Sequence, residues 1–230
     1  HEMEVTVKLG AMKDGTIRAI EVHALSNTGA YGEHGPTTIG LVGHKSLPLY
    51  SGKYEAFRFV ANTVYSNHPS AGAYRGYGAT QGVFAMENTV NLMAHKLGID
   101  PVKIREHNML HEGDIMTAHN NETANACALD QCMARCKEMM DWDSKFPAKT
   151  LPNGHIRSVG VAMAMQGSCI SFVDEANVTI KMNDDGFYSL LVGSTDMGTG
   201  SDTILAQMAA DVLECDLDDV VTYGVDTDTS

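Results

Sequence analysis

The most informative segment of this sequence is Gly72-Ala73-Tyr74-Arg75-Gly76-Tyr77-Gly78-Ala79-Thr80-Gln81-Gly82. Four glycines fall within these eleven residues, and glycine allows positive φ angles and close approach of other groups to the backbone. Apolar residues then recur at spacings of three and four, which predicts a helix from about residue 79 to 97. The first N–H groups of such a helix have no partner within it, so the junction is suited to an anion or an oxo group. A plain tight turn is the structural alternative.

Length, composition and charge limit the kinds of protein that this chain can be. At 230 residues and 43% hydrophobic content, one or two domains with a real core are expected. A formal charge of −13 argues against non-specific binding to nucleic acid or to an acidic membrane surface. The sequence has no apolar run of eighteen residues, so no transmembrane helix is predicted, and no secretory signal is recognisable.

The five cysteines favour a reducing, cytoplasmic location over a disulfide framework, because their number is odd and the chain is not small. Cys127, Cys132 and Cys136 are spaced by four and then three residues, which differs from the spacing of plant-type iron–sulfur sites. His107 and His111 lie four residues apart, but they span a helix end and are not predicted to form a zinc site. Neither an iron–sulfur cluster nor a zinc site is therefore predicted from these residues.

The first half of the chain is predicted to be mixed strand and helix. Residues 2–9 and 17–25 alternate as half-buried strands on either side of a turn, 27–32 are predicted to be loop, and 53–65 a third strand. Gly98 is placed to end the helix of residues 79–97, and Asp100-Pro101 to begin a short one that reaches about residue 108. A polar connection from 109 to 125 leads to a helix at 129–140.

The second half begins after a Pro- and Gly-containing linker at residues 146–154. Residues 159–165 are predicted to be a buried strand, 176–182 and 187–192 a hairpin, and 220–225 a last strand. The helix at 203–213 is predicted to have Ile204, Leu205, Met208 and Val212 as its apolar face. The predicted class is α+β, with two mixed strand and helix subdomains at residues 1–148 and 149–230. The absence of an initiator Met and of a closing element predicts truncation at both ends.

A second glycine-rich loop, Thr195-Asp196-Met197-Gly198-Thr199-Gly200, also lies between a strand and a helix. Neither loop is followed by the Gly-Lys-Ser/Thr of a Walker A motif, and Gly82 falls one position late for a dinucleotide fingerprint. From these residues alone, two alternatives stay open. One is a non-catalytic scaffold or interaction domain whose glycine loops are mere turns, and the other is a generic nucleotide- or phosphate-binding domain.

The first loop resembles the cofactor-facing segment of the xanthine dehydrogenase / aldehyde oxidoreductase family of molybdenum hydroxylases. That segment has the form Ala-aromatic-Arg-Gly-aromatic-Gly, two further residues and Gln. The second loop resembles the family's Met-Gly-Gln-Gly, with Thr199 in place of the glutamine. The resemblance extends along nearly the whole chain, including residues 96–101 and 108–109.

The resemblance implies a site in which both loops contact the molybdenum–pterin cofactor, in its cytosine dinucleotide form, without metal ligation by protein. The residues assigned to the cofactor are Ala73, Tyr74, Arg75, Gly76, Gln81, Asp196, Met197, Gly198, Thr199 and Gly200. The Arg75 side chain is expected to pair with a carboxylate while its backbone N–H serves the cofactor. Tyr77 is assigned to stack face-on against a flat substrate, and Phe172, in Gly167-Ser168-Cys169-Ile170-Ser171-Phe172, to pack edge-on.

The resemblance also implies hydroxylation of a purine or another N-heterocycle with oxygen from water. Electrons would leave through iron–sulfur clusters to FAD on other domains or subunits, and the rest of the molybdenum subunit would be a further partner. The family's general-base glutamate and an upstream Gly-Gly-Phe-Gly-Gly loop lie outside this sequence, so no catalytic residue is assigned and the segment is not expected to be active alone. Residues 41–45, where many purine-specific members carry a substrate-binding arginine, contain none.

Overall fold

The computed structural model describes residues 2–166, 176–226 and 228. Residues 1–167 and 168–230 are two compact units, each with its own hydrophobic core. Both units combine strands and helices, which confirms the α+β class predicted from the sequence. The predicted subdomain boundary at residue 148 stays a prediction. Among the described residues, no helix combines the length and the apolar character that crossing a membrane requires.

The first unit is built on a three-stranded sheet in the order β1-β2-β3, with β1 antiparallel and β3 parallel to the central strand. The elements of this unit are β1 (Met3–Ala11), β2 (Ile17–Gly29), α1 (Gly35–Ser46), β3 (Ala56–Tyr65), α2 (Ala79–Leu97), α3 (Pro101–Asn108), β4 (Ile115–Met116), β5 (Glu122–Thr123), α4 (Leu129–Met140), α5 (Trp142–Lys145), β6 (Lys149–Thr150) and β7 (Ile156–Arg157). Strand β2 reaches Gly29, so the predicted loop at 27–32 begins too early. The reason is that Asn27 and Gly29 still pair with Val64 and Tyr65 of β3.

Helices α2 and α3 have the bounds that their end signals predict. Gly98 adopts φ +67° at the C-terminal end of α2, the left-handed conformation that glycine adopts without a Cβ penalty. The Asp100 carboxylate accepts a hydrogen bond of 2.7 Å from the Val102 N–H at the start of α3. These two caps place α3 directly after α2 and against it.

Helix α1 was not predicted, because its contacts depend on glycines and small residues more than on an apolar stripe. A Cβ at Gly43 would lie 2.7 Å from the Phe59 ring of β3, so only glycine allows α1 to lie this close to the sheet. Pro36 at the first turn of α1 is the one helix-start signal in the sequence.

A buried ionic network joins α2 to its surroundings. The side chains of Glu87 and Arg105 are 4% and 0% exposed, and Arg105 Nε donates to Glu87 Oε2 at 2.8 Å. Tyr50, which is fully buried, donates its hydroxyl to Glu87 Oε1. Burial first, and the charge of Glu87 second, hold the pKa of Tyr50 well above its usual range. Because each charged oxygen and nitrogen has a partner, the network can be buried without an uncompensated charge.

The prediction of a buried strand at 159–165 is wrong, and only every second residue of this segment packs inward. Val159, Val161 and Met165 pack against the core of the first unit, and Met163 is buried within it. No described strand pairs with this segment; instead, the Met163 N–H donates to Glu87 Oε2 at 2.7 Å. A side-chain carboxylate thus replaces the neighbouring strand that the apolar pattern predicted.

The second unit is a three-stranded sheet in the order β10-β9-β8 with one helix packed on it. Its elements are β8 (Val178–Met182), β9 (Tyr188–Val192), α6 (Ser201–Leu213) and β10 (Val220–Gly224). Of the apolar face predicted for α6, Leu205 packs against the core, whereas the placement of Ile204, Met208 and Val212 in that face is wrong. Ala206, Ala209 and Ala210 contact the sheet, whereas Met208 and Val212 are 58% and 84% exposed. The small alanine side chains allow the helix to lie close to Leu190 and Val192, which explains the choice of face.

Candidate functional site

The first glycine-rich loop, residues 72–78, runs along the surface into the start of α2. Gly76 adopts φ +75° and Gly78 φ +79°, conformations that other residues rarely adopt. The backbone N–H groups of Arg75, Gly76 and Tyr77 have no hydrogen-bond partner among the described residues. Three successive unpaired amides at a helix start form a surface that can bind an anion or an oxo group.

Two of the four glycines in this loop serve the packing of α1 against α2. A Cβ at Gly78 would lie 2.0 Å from the Thr38 carbonyl oxygen, and one at Gly82 would lie 2.2 Å from the Val42 carbonyl oxygen. Contacts at Thr38 and then Val42 mean that the two helices run in the same direction. Their N-terminal ends therefore lie at the same end of the pair, and the partial positive charges of two helix dipoles act together beside the loop.

Gln81, which the resemblance assigned to the cofactor, is used in part by the protein itself. Its carbonyl oxygen Oε1 accepts hydrogen bonds of 2.9 Å from the Gly78 N–H and from the Thr80 hydroxyl. The Gln81 side chain therefore caps α2, and its NH₂ group has no partner within the described parts of the chain. Only that NH₂ group is available to an additional ligand.

The side chains of the motif differ in their exposure. The Tyr77 ring is half-buried and meets the His34 ring edge-on, with 6.0 Å between ring centroids. Tyr74 is 85% exposed. Arg75 is also exposed, and none of the ion pairs among the described residues includes it. The carboxylate partner expected for Arg75 is thus absent from residues 2–166, 176–226 and 228.

The second loop, residues 195–200, is organised around the carboxylate of Asp196. Asp196 Oδ1 accepts hydrogen bonds from the N–H groups of Gly198, at 2.7 Å, and Gly200, at 3.3 Å. These bonds, the first of them above all, hold the pKa of Asp196 below its usual range. Two of the amides that were predicted to face a cofactor therefore already have an acceptor, whereas Met197 and Thr199 project from an exposed turn.

Polar atoms without partners surround the start of α6. Ser194 Oγ, Ser201 Oγ and Asp202 Oδ1 are inaccessible to solvent and make no hydrogen bond with the described residues. Buried polar atoms are normally paired, because leaving one unpaired costs about 1–3 kcal/mol. An additional polar group that contacted these three atoms of the second unit would give them the hydrogen-bond partners that they lack.

Two further predictions concern substrate contacts. Phe172 lies outside the residues that the structure describes, so its edge-on role stays a prediction. Residues 41–45 form the later part of α1. There His44 stacks on His119, with 4.1 Å between ring centroids, and Lys45 is buried. Burial lowers the pKa of both His44 and Lys45.

No sequence motif indicates the groove of about 540 Å³ that lies beside the first loop. It is lined by Glu2, Asn27 and His68 together with residues 69–74. Asn27 and His68 are 41 positions apart and belong to no recognisable motif. Only the pairing of β2 with β3 shows that they meet.

Comparison with known proteins gives consistent results for both halves of the chain. Two family models described as molybdopterin cofactor-binding domains match residues 1–109 and 135–230. The chain belongs to the molybdenum hydroxylase family. A probable hypoxanthine oxidase of Escherichia coli (strain K12) is 40% identical over 99% of the chain, which covers 24% of that protein. A putative xanthine dehydrogenase molybdenum-binding subunit of the same organism is 35% identical over 100% of the chain, which covers 31% of it.

A solved structure shows the same fold for this molybdenum hydroxylase chain. The aldehyde oxidoreductase from Desulfovibrio gigas superimposes with a TM-score of 0.76 at 24% identity, over 96% of this chain and 24% of its own. The chain thus spans about a quarter to a third of the length of these relatives. In the first unit, the unpaired amides of residues 75–77 offer hydrogen bonds that the described protein leaves unmade, which suits a polar cofactor. In the second unit, considered by itself, the orphaned polar atoms around α6 do the same.

Proposed function

We propose that this chain is the part of a molybdenum-dependent hydroxylase that holds the molybdenum–pterin cofactor, and that the whole enzyme hydroxylates a purine or another N-heterocycle with oxygen from water. The observation that carries the proposal is the row of unpaired N–H groups at Arg75, Gly76 and Tyr77, at a loop whose sequence matches the family's cofactor segment. The relatives named for hypoxanthine and xanthine support the substrate class.

The chain's own residues would bind and orient the cofactor. The N–H groups of residues 75–77 would donate hydrogen bonds to its oxygen atoms, with the positive ends of α1 and α2 behind them. The Gln81 NH₂ group would add one donor, and Gly76 would allow the backbone to approach closely. When bound, the cofactor supplies a molybdenum centre that transfers oxygen and accepts electrons, whereas the protein supplies position and dipoles.

The second loop would contribute in a different way. Since Asp196 already occupies the N–H groups of Gly198 and Gly200, we assign it the role of fixing the loop's shape. Met197, Thr199 and the hydroxyls of Ser194 and Ser201 would then be the groups that contact the cofactor. The dinucleotide form of the pterin, with cytosine, is a proposal that depends on the family resemblance alone.

The proposed function also includes the contacts with the substrate and the groups that accept the electrons. The Tyr77 ring would stack on a flat heterocycle, and Phe172 would pack against its edge, with the acid–base residue supplied by a part of the enzyme beyond this sequence. Iron–sulfur clusters and FAD on other domains or subunits would receive the electrons. We place the enzyme in the cytoplasm, because the four described cysteines, Cys127, Cys132, Cys136 and Cys215, are free thiols.

Metal and pterin analysis of the intact enzyme tests this function. We expect about one molybdenum and one pterin per copy of the chain, and water-derived oxygen in the hydroxylated product when the reaction is run in ¹⁸O-labelled water. A protein that contains neither molybdenum nor pterin would refute the proposal. Release of an ordinary nucleotide without metal, on denaturation, would instead indicate a phosphate-binding domain.

A further inference from the structure

The ring of Tyr77 has one aromatic partner among the described residues, the imidazole of His34. The two rings meet edge-on, with 6.0 Å between their centroids and 67° between their planes. In this arrangement the positive edge of one ring faces the negative face of the other, which stabilises the pair beyond the burial of its surface. Both residues are half-buried. The contact therefore favours one plane for the Tyr77 ring before any substrate is bound.

His34 is the N-cap residue of α1, but its side chain does not cap the helix. Ser, Thr, Asp and Asn are favoured at this position, because their side-chain oxygen accepts a hydrogen bond from the first turn. The His34 imidazole makes no such bond. Only its backbone carbonyl oxygen contributes, by accepting from the N–H of Thr38 at 2.8 Å and from Thr38 Oγ1 at 2.7 Å. Capping therefore does not explain a histidine here, whereas the contact with Tyr77 uses the imidazole ring.

The same packing contact fixes the backbone on both sides of the ring pair. Thr38, which bonds the His34 carbonyl, is fully buried. A Cβ at Gly78 would lie 2.0 Å from the Thr38 carbonyl oxygen, so the chain at Gly78 packs directly on the backbone of α1. Gly78 follows Tyr77 in the sequence. Neither ring can therefore move with its backbone unless the contact between α1 and α2 is disturbed, and the two rings keep a fixed relative position.

We propose that His34 is a positioning residue, whose imidazole keeps the Tyr77 ring in the plane in which that ring stacks on a flat substrate. The inference rests on the proposed function and adds a residue that acts on the substrate only through Tyr77. The terminal torsion of a tyrosine is broad, so a ring without a neighbour samples many planes, and most of them are not parallel to a bound heterocycle. A ring that is oriented in advance loses less freedom when substrate binds. His34 should therefore lower KM and leave the chemical step unchanged.

The test is a double-mutant cycle on the intact enzyme, with hypoxanthine as the flat substrate and with KM and kcat measured separately. His34→Ala should raise KM about two- to fivefold, a part of the effect expected for loss of the Tyr77 ring itself, with kcat within about twofold. His34→Phe, which keeps a flat ring at this position, should restore most of the original KM. In a Tyr77→Ala background, His34→Ala should change KM by less than about 1.5-fold, because the ring that it positions is gone.

His155→Ala is the matched control, since His155 is exposed and has no ring contact within the described part of the chain. Molybdenum content and Tm are measured for every variant, so that a loss of cofactor or of folding is recognised as such. Additive effects of His34→Ala and Tyr77→Ala on KM, an unchanged KM for His34→Ala, or no restoration by His34→Phe would overturn the positioning role and leave the proposed function intact. An unmodified enzyme without molybdenum, or without activity on hypoxanthine, would overturn the proposed function and this inference together.

Discussion

Replacement of Gly76 by Val is the change that acts most directly on the proposed cofactor contact. Gly76 adopts φ +75°, and a Cβ there would lie 3.1 Å from Thr80 Cγ2. A left-handed conformation costs a non-glycine residue about 1–2 kcal/mol, and the tight contact adds to this. If the total is about 2 kcal/mol, the loop conformation seen here becomes about thirtyfold less populated. Affinity for a cofactor that requires this conformation falls by the same factor.

Gly72→Ala is the matched control in the same loop. A Cβ at Gly72 would have no atom within 4 Å, and the backbone there is not in the left-handed region. The two variants therefore differ in the strain that they introduce and share their place in the motif. We expect Gly72→Ala to bind cofactor like the unmodified enzyme.

The assay is the molybdenum content of the intact enzyme, purified from cells grown on limiting molybdate. We expect Gly76→Val to contain a small fraction of the molybdenum found in the unmodified enzyme and in Gly72→Ala. A thermal-unfolding measurement on the same samples shows whether the variant is folded. If folded Gly76→Val contains as much molybdenum as Gly72→Ala, residues 75–77 do not face the cofactor.

Three further predictions concern Tyr77, Glu87 and Asp196. Tyr77→Ala should lower kcat/KM for ring substrates about three- to tenfold with molybdenum content unchanged, because one aromatic contact is lost; steady-state kinetics that match the unmodified enzyme on several heterocycles would exclude stacking. Glu87→Gln should lower the free energy of unfolding by about 3 kcal/mol in urea, because it leaves buried Arg105 without its charge partner. The exposed Glu138→Gln control should change it by less than about 1 kcal/mol, and equal effects would contradict the network's importance. The pKa of Asp196 is lowered in the fold, so the ionised carboxylate stabilises the protein above the ordinary carboxyl pKa, and this stabilisation is lost as pH falls through the lowered value. The difference in Tm between the unmodified enzyme and Asp196→Asn should therefore shrink as the pH is lowered. A difference in Tm that is independent of pH would contradict this role of Asp196.

Local signals predicted the helices of the first unit well where those signals act within a few residues. Helix α2 begins after Gly78 and ends at Gly98, and α3 begins at the Asp100 cap, all from neighbours in sequence. Helix α1 escaped prediction because its fit depends on Phe59, a residue of another strand. The periodicity of apolar residues does not indicate a contact that is possible only because glycine lacks a side chain.

The errors in the second half have a related cause. Residues 159–165 form a nearly continuous apolar run, as a buried strand does, but the N–H of Met163 donates to the carboxylate of Glu87, 76 positions away. In α6, hydrophobicity favoured Met208 and Val212 for the core, whereas close packing selected the alanines. In both cases a contact with residues distant in sequence determined the structure, and the local sequence pattern does not identify those residues.

The candidate site was predicted as a motif, and its internal bonds were not. The resemblance identified residues 73–81 and 196–200, but a sequence does not show whether Gln81 or Asp196 bonds a ligand or its own backbone. The structure shows that both side chains bond their own loops. The pairing of Asn27 with His68 had no sequence signal at all, because it arises where two parallel strands end together.

The contact between the cofactor and the first loop is best tested by a structure of the intact enzyme with its cofactor bound. We expect oxygen atoms of the molybdenum–pterin cofactor to lie within hydrogen-bonding distance, about 3 Å, of the N–H groups of Arg75, Gly76 or Tyr77. A cofactor bound elsewhere, with these three N–H groups donating to protein atoms, would contradict it.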